Sequence, residues 1–279
     1  ATIITAGQSI QFTDQSANNP TSWSWNFGDG STSTTKSPAH IYSTAGIFTV
    51  SLTATNSAGS DTETKTNYLS VVSNTISDID NNTYKISIIG LRVWMVENLK
   101  TTKYRDGNPI TMVTDATQWA NLTSDAYCWY DNDPATYKNN YGALYNWYTV
   151  NTGKLCPFGW HVPTDDEWME LEMFIGMTRE IAELTYWRGT NEGNKLKSTS
   201  GWYMNGNGTN DVGFNVLPAG MRYNNGEFRY IGNWTDFWSS TEISRTLAWS
   251  RAFGYSNANI GRYDDAKQFG FCIRCIRDQ

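Results

Sequence analysis

The sequence predicts two domains: an all-β sandwich over residues 1–74 and an α+β domain rich in irregular loops over 84–279, joined by a linker at 75–83. Three observations predict this. Residues 1–73 are rich in Thr, Ser and Asn, and short alternating runs separated by turn residues mark a small antiparallel sandwich. The four cysteines, Cys128, Cys156, Cys272 and Cys275, all fall in the remainder. There the stretch Lys154–Trp168, KLCPFGWHVPTDDEW, crowds a cysteine, two prolines and two tryptophans against a helix start.

Bulk properties exclude several classes. A chain of 279 residues allows one large or two ordinary domains, and 13 Trp give ample core material. The formal charge of -6 and the lack of a Lys/Arg run argue against nucleic acid as partner. No apolar stretch approaches the roughly 18 to 20 residues of a membrane span, so no membrane insertion is expected. The chain starts without Met or a signal peptide and is expected to be a mature or excised fragment.

In the first domain, Ser9–Thr13 (SIQFT) and Ile47–Thr55 (IFTVSLTAT) read as strands. Trp23–Gly30 (WSWNFGDG) places a strand ahead of a Gly-Asp-Gly turn that Asp29 caps, and Asn56–Gly59 (NSAG) is a hairpin turn. The series SWSWNFGDG, SPAHIYSTAGIFTVSLTATNSAG resembles the polycystic-kidney-disease (PKD) type of immunoglobulin-like domain. That resemblance implies an immunoglobulin-like sandwich acting as a spacer, with His40 of its HxY position packed against the turn.

Beyond the linker, Thr83–Ile89 reads as a strand, and the run Val93–Leu99 follows. Asp115–Ala120 and Asn140–Val150 carry short-helix signals, the latter with Leu144, Trp147 and Tyr148 at core spacing. Pro157, Gly159 and Pro163 make the segment before Thr164 a rigid turn. Thr164 and Glu167 have capping-box spacing, so a helix should run from about Asp165 to Gly176, burying Trp168, Leu171, Phe174 and Ile175. The acidic trio Asp165, Asp166 and Glu167 suits a first helical turn. GNGTNDVG at 206–213 lacks the features of a phosphate loop and reads as a surface loop.

In GFCIRCI, Cys272 and Cys275 differ by three, so in a strand they point to opposite faces and serve separate bridges. The preferred pairing is Cys156 with Cys275 and Cys128 with Cys272, the crossed pairing being the alternative. Each bridge would stabilise by roughly 4 kcal/mol on a chain-entropy account. Disulfides imply an extracytoplasmic compartment, so the protein is expected to be secreted or at a cell surface.

The anchors VWMVENLKTTKYRDGNPI, YCWYDND, YGALYNWYTV, KLCPFGWHVPTDDEW, GNKLKSTSGW, GFNVLPAGMRYNNGEF, FWSSTE, LAWSRAF and GFCIRCIRD stand in order over about Tyr84–Asp278. This series resembles the Fibrobacter succinogenes major paralogous (FISUMP) domain of Bacteroidetes surface and secreted proteins. The resemblance implies a fold related to C-type lectins and formylglycine-generating enzymes.

Binding suits these residues better than catalysis. The expected bridges consume all four thiols, so a formylglycine-generating oxidase, which needs reactive cysteines, is the weaker reading. His161 is expected to be structural. Aromatic faces flanked by amides, carboxylates and Arg suit sugar recognition, and Trp249–Asp265 (WSRAFGYSNANIGRYDD) offers them. Alternation turns Trp249, Phe253 and Ile260 inward and leaves Ser250, Tyr255, Asn257, Asn259, Arg262, Tyr263 and Asp264 as candidate ligand-binding residues. An extracellular glycan is the expected partner. The alternative is a surface protein, recognised through a loop that also resembles retroelement-diversified C-type-lectin proteins. Of cofactors only calcium is entertained, with Asp131 and Asp133 as candidates beside Asn132, and with Asp264 and Asp265 as a second acidic cluster.

Overall fold

The computed structural model describes residues 2–279. Two compact units result, one ending at Asn74 and the other spanning Thr75–Gln279.

The first unit is all β. Its strands are β1 (Thr2–Thr5), β2 (Ser9–Gln11), β3 (Ser22–Asn26), β4 (Thr32–Ser33), β5 (Ala39–Ile41), β6 (Gly46–Asn56) and β7 (Gly59–Val72). They form a five-stranded sheet in the order β1-β7-β6-β3-β4 and a two-stranded sheet β2-β5. Pairing is antiparallel except that β1 runs parallel to β7. The core holds Phe12, Trp25, Phe27, Tyr42, Val50 and Leu69. The NSAG segment makes the expected hairpin turn, pairing Asn56 with Gly59. Asp29 accepts from the Ser31 amide at 2.9 Å and contacts His40 at 2.7 Å, while the His40 ring stacks on Phe27 at 4.0 Å, so both residues hold the turn. Gly28 has a φ of +82° and lies against Thr49, whose carbonyl oxygen would be 2.4 Å from an added Cβ. Only glycine fits there.

The second unit begins within the expected linker. Strand β8 (Thr75–Ser77) pairs with β9 (Thr83–Ile89), and the Asp78 carboxylate ties the turn between them by accepting from the Asp80 and Asn82 amides and from Tyr84 Oη. Residues 75–83 are therefore part of the folded unit. Next come β10 (Arg92–Met95), α1 (Ala116–Ala120), β11 (Tyr127–Cys128), α2 (Pro134–Tyr141), β12 (Leu144–Tyr145), α3 (Trp147–Val150), β13 (Trp160–His161) and α4 (Asp165–Phe174). The remainder comprises α5 (Arg179–Ala182), β14 (Tyr186–Arg188), α6 (Glu192–Leu196), β15 (Ala219–Arg222), β16 (Phe228–Ile231), β17 (Trp234–Glu242), β18 (Leu247–Gly254), β19 (Ile260–Ala266) and β20 (Ile276–Arg277). The protein is thus mostly β with few, short helices.

Two sheets organise this unit, one in the order β13-β20-β10-β9-β8 and one in the order β14-β19-β18-β17-β15-β16. Helix α4 carries the expected capping box, with Thr164 and Glu167 satisfying each other's backbone amides. Its buried stripe is Trp168, Leu171, Glu172 and Ile175, the i, i+3, i+4, i+7 positions. Phe174, expected in the core, is 57% exposed because it lies off that stripe, with its ring over Gly90.

Cys156 and Cys275 are bridged. The second expected bridge is not formed: Cys128 and Cys272 are buried free thiols. They face different partners, Cys272 Sγ accepting from Asn98 Nδ2 at 3.2 Å while Cys128 interacts with Arg222. The segment around Cys272 also makes only isolated bridges, Phe237 with Cys272 among them, so the alternation assumed for a continuous strand does not apply.

Candidate functional site

The sheet β14-β19-β18-β17-β15-β16 is covered on one face by α4 and opens a cleft on the other. The contact with α4 is a buried charge network. Glu172 pairs with Arg188 at 2.5 Å and Arg251 at 2.6 Å, and Asp165 pairs with Arg251 at 2.7 Å and Arg262 at 2.6 Å. Burial opposes ionisation of Asp165, but hydrogen bonds from Arg262 and Arg251 outweigh it and hold its carboxyl below the usual range. Asp165 is therefore a docking residue rather than only a complement to the helix dipole.

On the opposite face, Trp234 and Asp236 of β17, Tyr263 and Asp265 of β19, and Tyr223, Tyr230 and Tyr255 from the neighbouring segments line a cleft of about 590 Å³. Aromatic rings line much of it and continue beside it. Tyr186 contacts Tyr263 at 5.7 Å, Trp187 meets both Tyr263 and Trp234, Tyr230 lies 6.4 Å from Trp234, and Tyr223 joins Tyr230 to Phe269. Beside the cleft Tyr203 packs on Tyr255 at 5.3 Å. Beneath the Tyr263 ring Ala252 pairs with Gly261, where an added Cβ would come within 2.5 Å of that ring.

Backbone strain concentrates around these rings. Among the described residues, the non-glycine positions with positive φ are Asn or Asp except for three: Tyr186 (φ 62°), Met204 (φ 48°) and Tyr230 (φ 68°). All three are exposed, Tyr186 by 65%. Bulky side chains in left-handed backbone cost on the order of 1–3 kcal/mol each, and such strain gathers at ligand-binding sites.

Two carboxylates reach the cleft. Asp236 is buried and accepts from the Trp234 indole N–H at 2.8 Å; Asp265 accepts from Ser250 Oγ at 2.5 Å. Burial first, then the neighbouring Asp265, pushes the Asp236 carboxyl well above its ordinary value. Burial likewise pushes Asp265 up to about 6, against the Ser250 hydrogen bond. Lys197 secures one side: its buried Nζ donates to the carbonyls of Gly206, Gly254 and Asn257 at 2.8, 3.1 and 2.9 Å, and burial brings it down to about 8.

Of the residues read from the sequence, Tyr255 and Tyr263 line the cleft, while Asn257, Asn259 and Asp264 lie in the adjoining turn and strand with exposed or half-buried side chains. Ser250 and Arg262 do not belong with them. Ser250 is fully buried under Asp265, and Arg262 is 8% exposed, bound to Asp165 and to the Glu183 carbonyl, and stacked 3.6 Å over Trp249. The reason is that α4 covers the face bearing Arg262, while on the other face Asp265 covers Ser250, so alternation sorts residues by face and not by exposure. Sequence reading missed Trp234, Asp236, Tyr223 and Tyr230, which come from other segments.

Of the calcium candidates, Asp133 forms a helix cap. Asp133 accepts from the Ala135 and Thr136 amides and from Thr136 Oγ1 at the start of α2, whose signal was the Asp133-Pro134 pair. Asp131 is exposed in a 3₁₀ turn, and Asp265 is engaged with Ser250. Among the described residues no group of three or more His, Cys, Asp or Glu is placed to hold a metal.

A groove of about 770 Å³ on the first unit is lined by Gln, Ser, Thr and Asn around Trp25, Leu52 and Tyr68, and its carboxylates Asp61 and Glu63 are exposed. It gathers no comparable wall of rings. The cleft of the second unit is the stronger candidate.

Comparison with known proteins agrees with the order of units. The family model described as Fibrobacter succinogenes major domain matches residues 88–277, and that of the PKD domain matches residues 1–71. Two curated relatives match over short stretches. Collagenase ColA of Bacillus cereus is 47% identical over 45 residues, which is 16% of this chain and 5% of that protein. A microbial collagenase of Vibrio alginolyticus is 44% identical over 57 residues, 19% of this chain and 7% of that protein. The chain therefore corresponds to only a small part of either relative.

Proposed function

Because the chain belongs to the Fibrobacter succinogenes major domain family and carries a PKD domain ahead of that region, we propose that it is a non-catalytic extracellular binding module recognising glycan through the aromatic cleft. The single observation that carries this reading is the set of rings lining the 590 Å³ cleft, Tyr230 among them held exposed at positive φ, with Tyr186 beside Tyr263 held likewise. Flat ring faces stack on the C–H faces of sugars, while Asn233, Asp236 and Asp265 supply directional hydrogen bonds. The PKD domain and the short matches to collagenases support an extracellular setting, with the first unit as spacer. The C-type-lectin-like fold implied by the family resemblance belongs to the same proposal, supported by short strands and helices separated by long loops.

The reading is non-catalytic because nucleophilic candidates are absorbed by structure. Cys275 is bridged, and burial pushes the Cys128 and Cys272 thiols up to about 12, so neither supplies a thiolate. His161 is held between Glu167 and Asp278 at 2.9 and 2.5 Å.

A glycan array with wild type, Trp234→Ala and Tyr263→Ala tests the proposal. Wild type should bind a defined set of glycans, and each variant should lose roughly tenfold or more in affinity, the scale of one stacked ring with its burial. Binding that survives both substitutions would remove the cleft as the site. A protein ligand is the second reading, favoured by exposed Ser256 and Asp264 beside half-buried Tyr255, Asn257, Asn259 and Tyr263; an array on which wild type binds nothing would turn the argument to it.

A further inference from the structure

Buried carboxylates elsewhere in the second unit are balanced. Asp165 and Glu172 are neutralised by Arg188, Arg251 and Arg262. Glu192 accepts from the Thr190 and Asn191 amides, and Asp78 accepts from two backbone amides, an Asn side chain and a tyrosine. Asp236 and Asp265 differ. Each side chain has one neutral donor, the Trp234 indole or the Ser250 hydroxyl, and among the described residues neither carboxylate is ion-paired. Both open onto a cavity walled by electron-rich ring faces.

A cation is the chemistry that completes this arrangement. Ring faces attract ammonium groups, and a desolvated carboxylate gains most from a partner that brings opposite charge and hydrogen-bond donors together. The cleft is also large enough for a saccharide unit against its walls. We propose that Asp236 and Asp265 form a subsite for the protonated amine of an amino sugar, so that the cleft prefers glycans bearing free amines over their N-acetylated forms. This rests on the glycan reading given above.

Proton linkage follows from the same geometry. Burial raises both carboxyls, Asp265 to about 6 and Asp236 well above its ordinary value, so an ammonium entering the subsite displaces protons. The ionisable groups around the pair are Tyr223, Tyr230 on β16, Tyr263 and Asp264 on β19, and Cys272 from the last segment. Arg229 on β16 is already paired with Glu227 at 2.6 Å. Affinity for an amine-bearing sugar should therefore rise as pH climbs from about 5 towards about 6, where Asp265 ionises and before the sugar amine loses its own proton.

The test is calorimetric titration of the full chain with glucosamine oligomers and with N-acetylglucosamine oligomers of equal length, repeated on Asp236→Asn and Asp265→Asn. Near-ultraviolet circular dichroism checks that the near-isosteric variants are folded. Wild type should bind the glucosamine oligomer at least about tenfold more tightly, with affinity rising over that pH range, and each variant should lose that preference. Equal affinity for the two oligomers, or a preference that both variants keep, overturns the amine subsite and leaves the glycan reading standing. Failure of wild type to bind any sugar, here and on the array, overturns both.

Discussion

Glu172 shows at the scale of one residue how much depends on burial. Its side chain is fully buried between Arg188 and Arg251, so it joins β14 and β18 to α4. Removing one member of a buried pair strands the partner charge in a medium that solvates it poorly. Glu172→Gln should therefore lower stability by about 3–5 kcal/mol, read from urea unfolding midpoints; a loss under about 1 kcal/mol would mean the network contributes little. His161 behaves differently because it is partly exposed. The hydrogen bond to Glu167 raises its pKa against the effect of burial, with Asp278 adding to the rise. A group raised in the folded state contributes its stability fully below its unfolded value, about 6.5, and loses it as pH climbs through the folded value. The stability gap between wild type and His161→Gln should thus be widest in mildly acidic buffer and narrow towards alkaline pH. A gap that widens with pH would contradict the assignment.

At the scale of elements, the rigid turn 154–164 is a junction. The Cys156–Cys275 bridge, the pairing of Trp160 and His161 with Arg277 and Ile276, and the Thr164 cap bring the start of α4 to the last strand. Opening a loop with a sequence separation of 119 residues should cost about 2–5 kcal/mol, so Cys156→Ser should lower the melting temperature markedly. If ligand affinity fell while the melting temperature held, the turn would be a binding element instead. Local chemistry made this element legible, since the proline-fixed turn and the Thr164–Glu167 spacing are short-range signals. The ring wall was not legible, because Trp187, Tyr230, Trp234 and Tyr263 come from four strands that adjoin only through the β14-β19-β18-β17-β15-β16 order.

At the scale of the whole molecule, the sequence by itself determined the order of the two regions, a PKD domain and then a Fibrobacter succinogenes major domain. It also determined the capped helix α4 and the NSAG hairpin, while between the two pairings it left open the structure chose Cys156 with Cys275. These follow from turn geometry, capping, hydrophobic period and family pattern, all of which act along a short stretch or recur in fixed order. Tertiary structure alone decided that Arg262 and Ser250 are buried while Trp234 and Asp236 meet Tyr263 and Asp265 across a cleft. It also left Cys128 and Cys272 unbridged. The physical reason is that exposure and charge balance depend on what covers each face of a sheet, and that covering comes from segments far away in the chain.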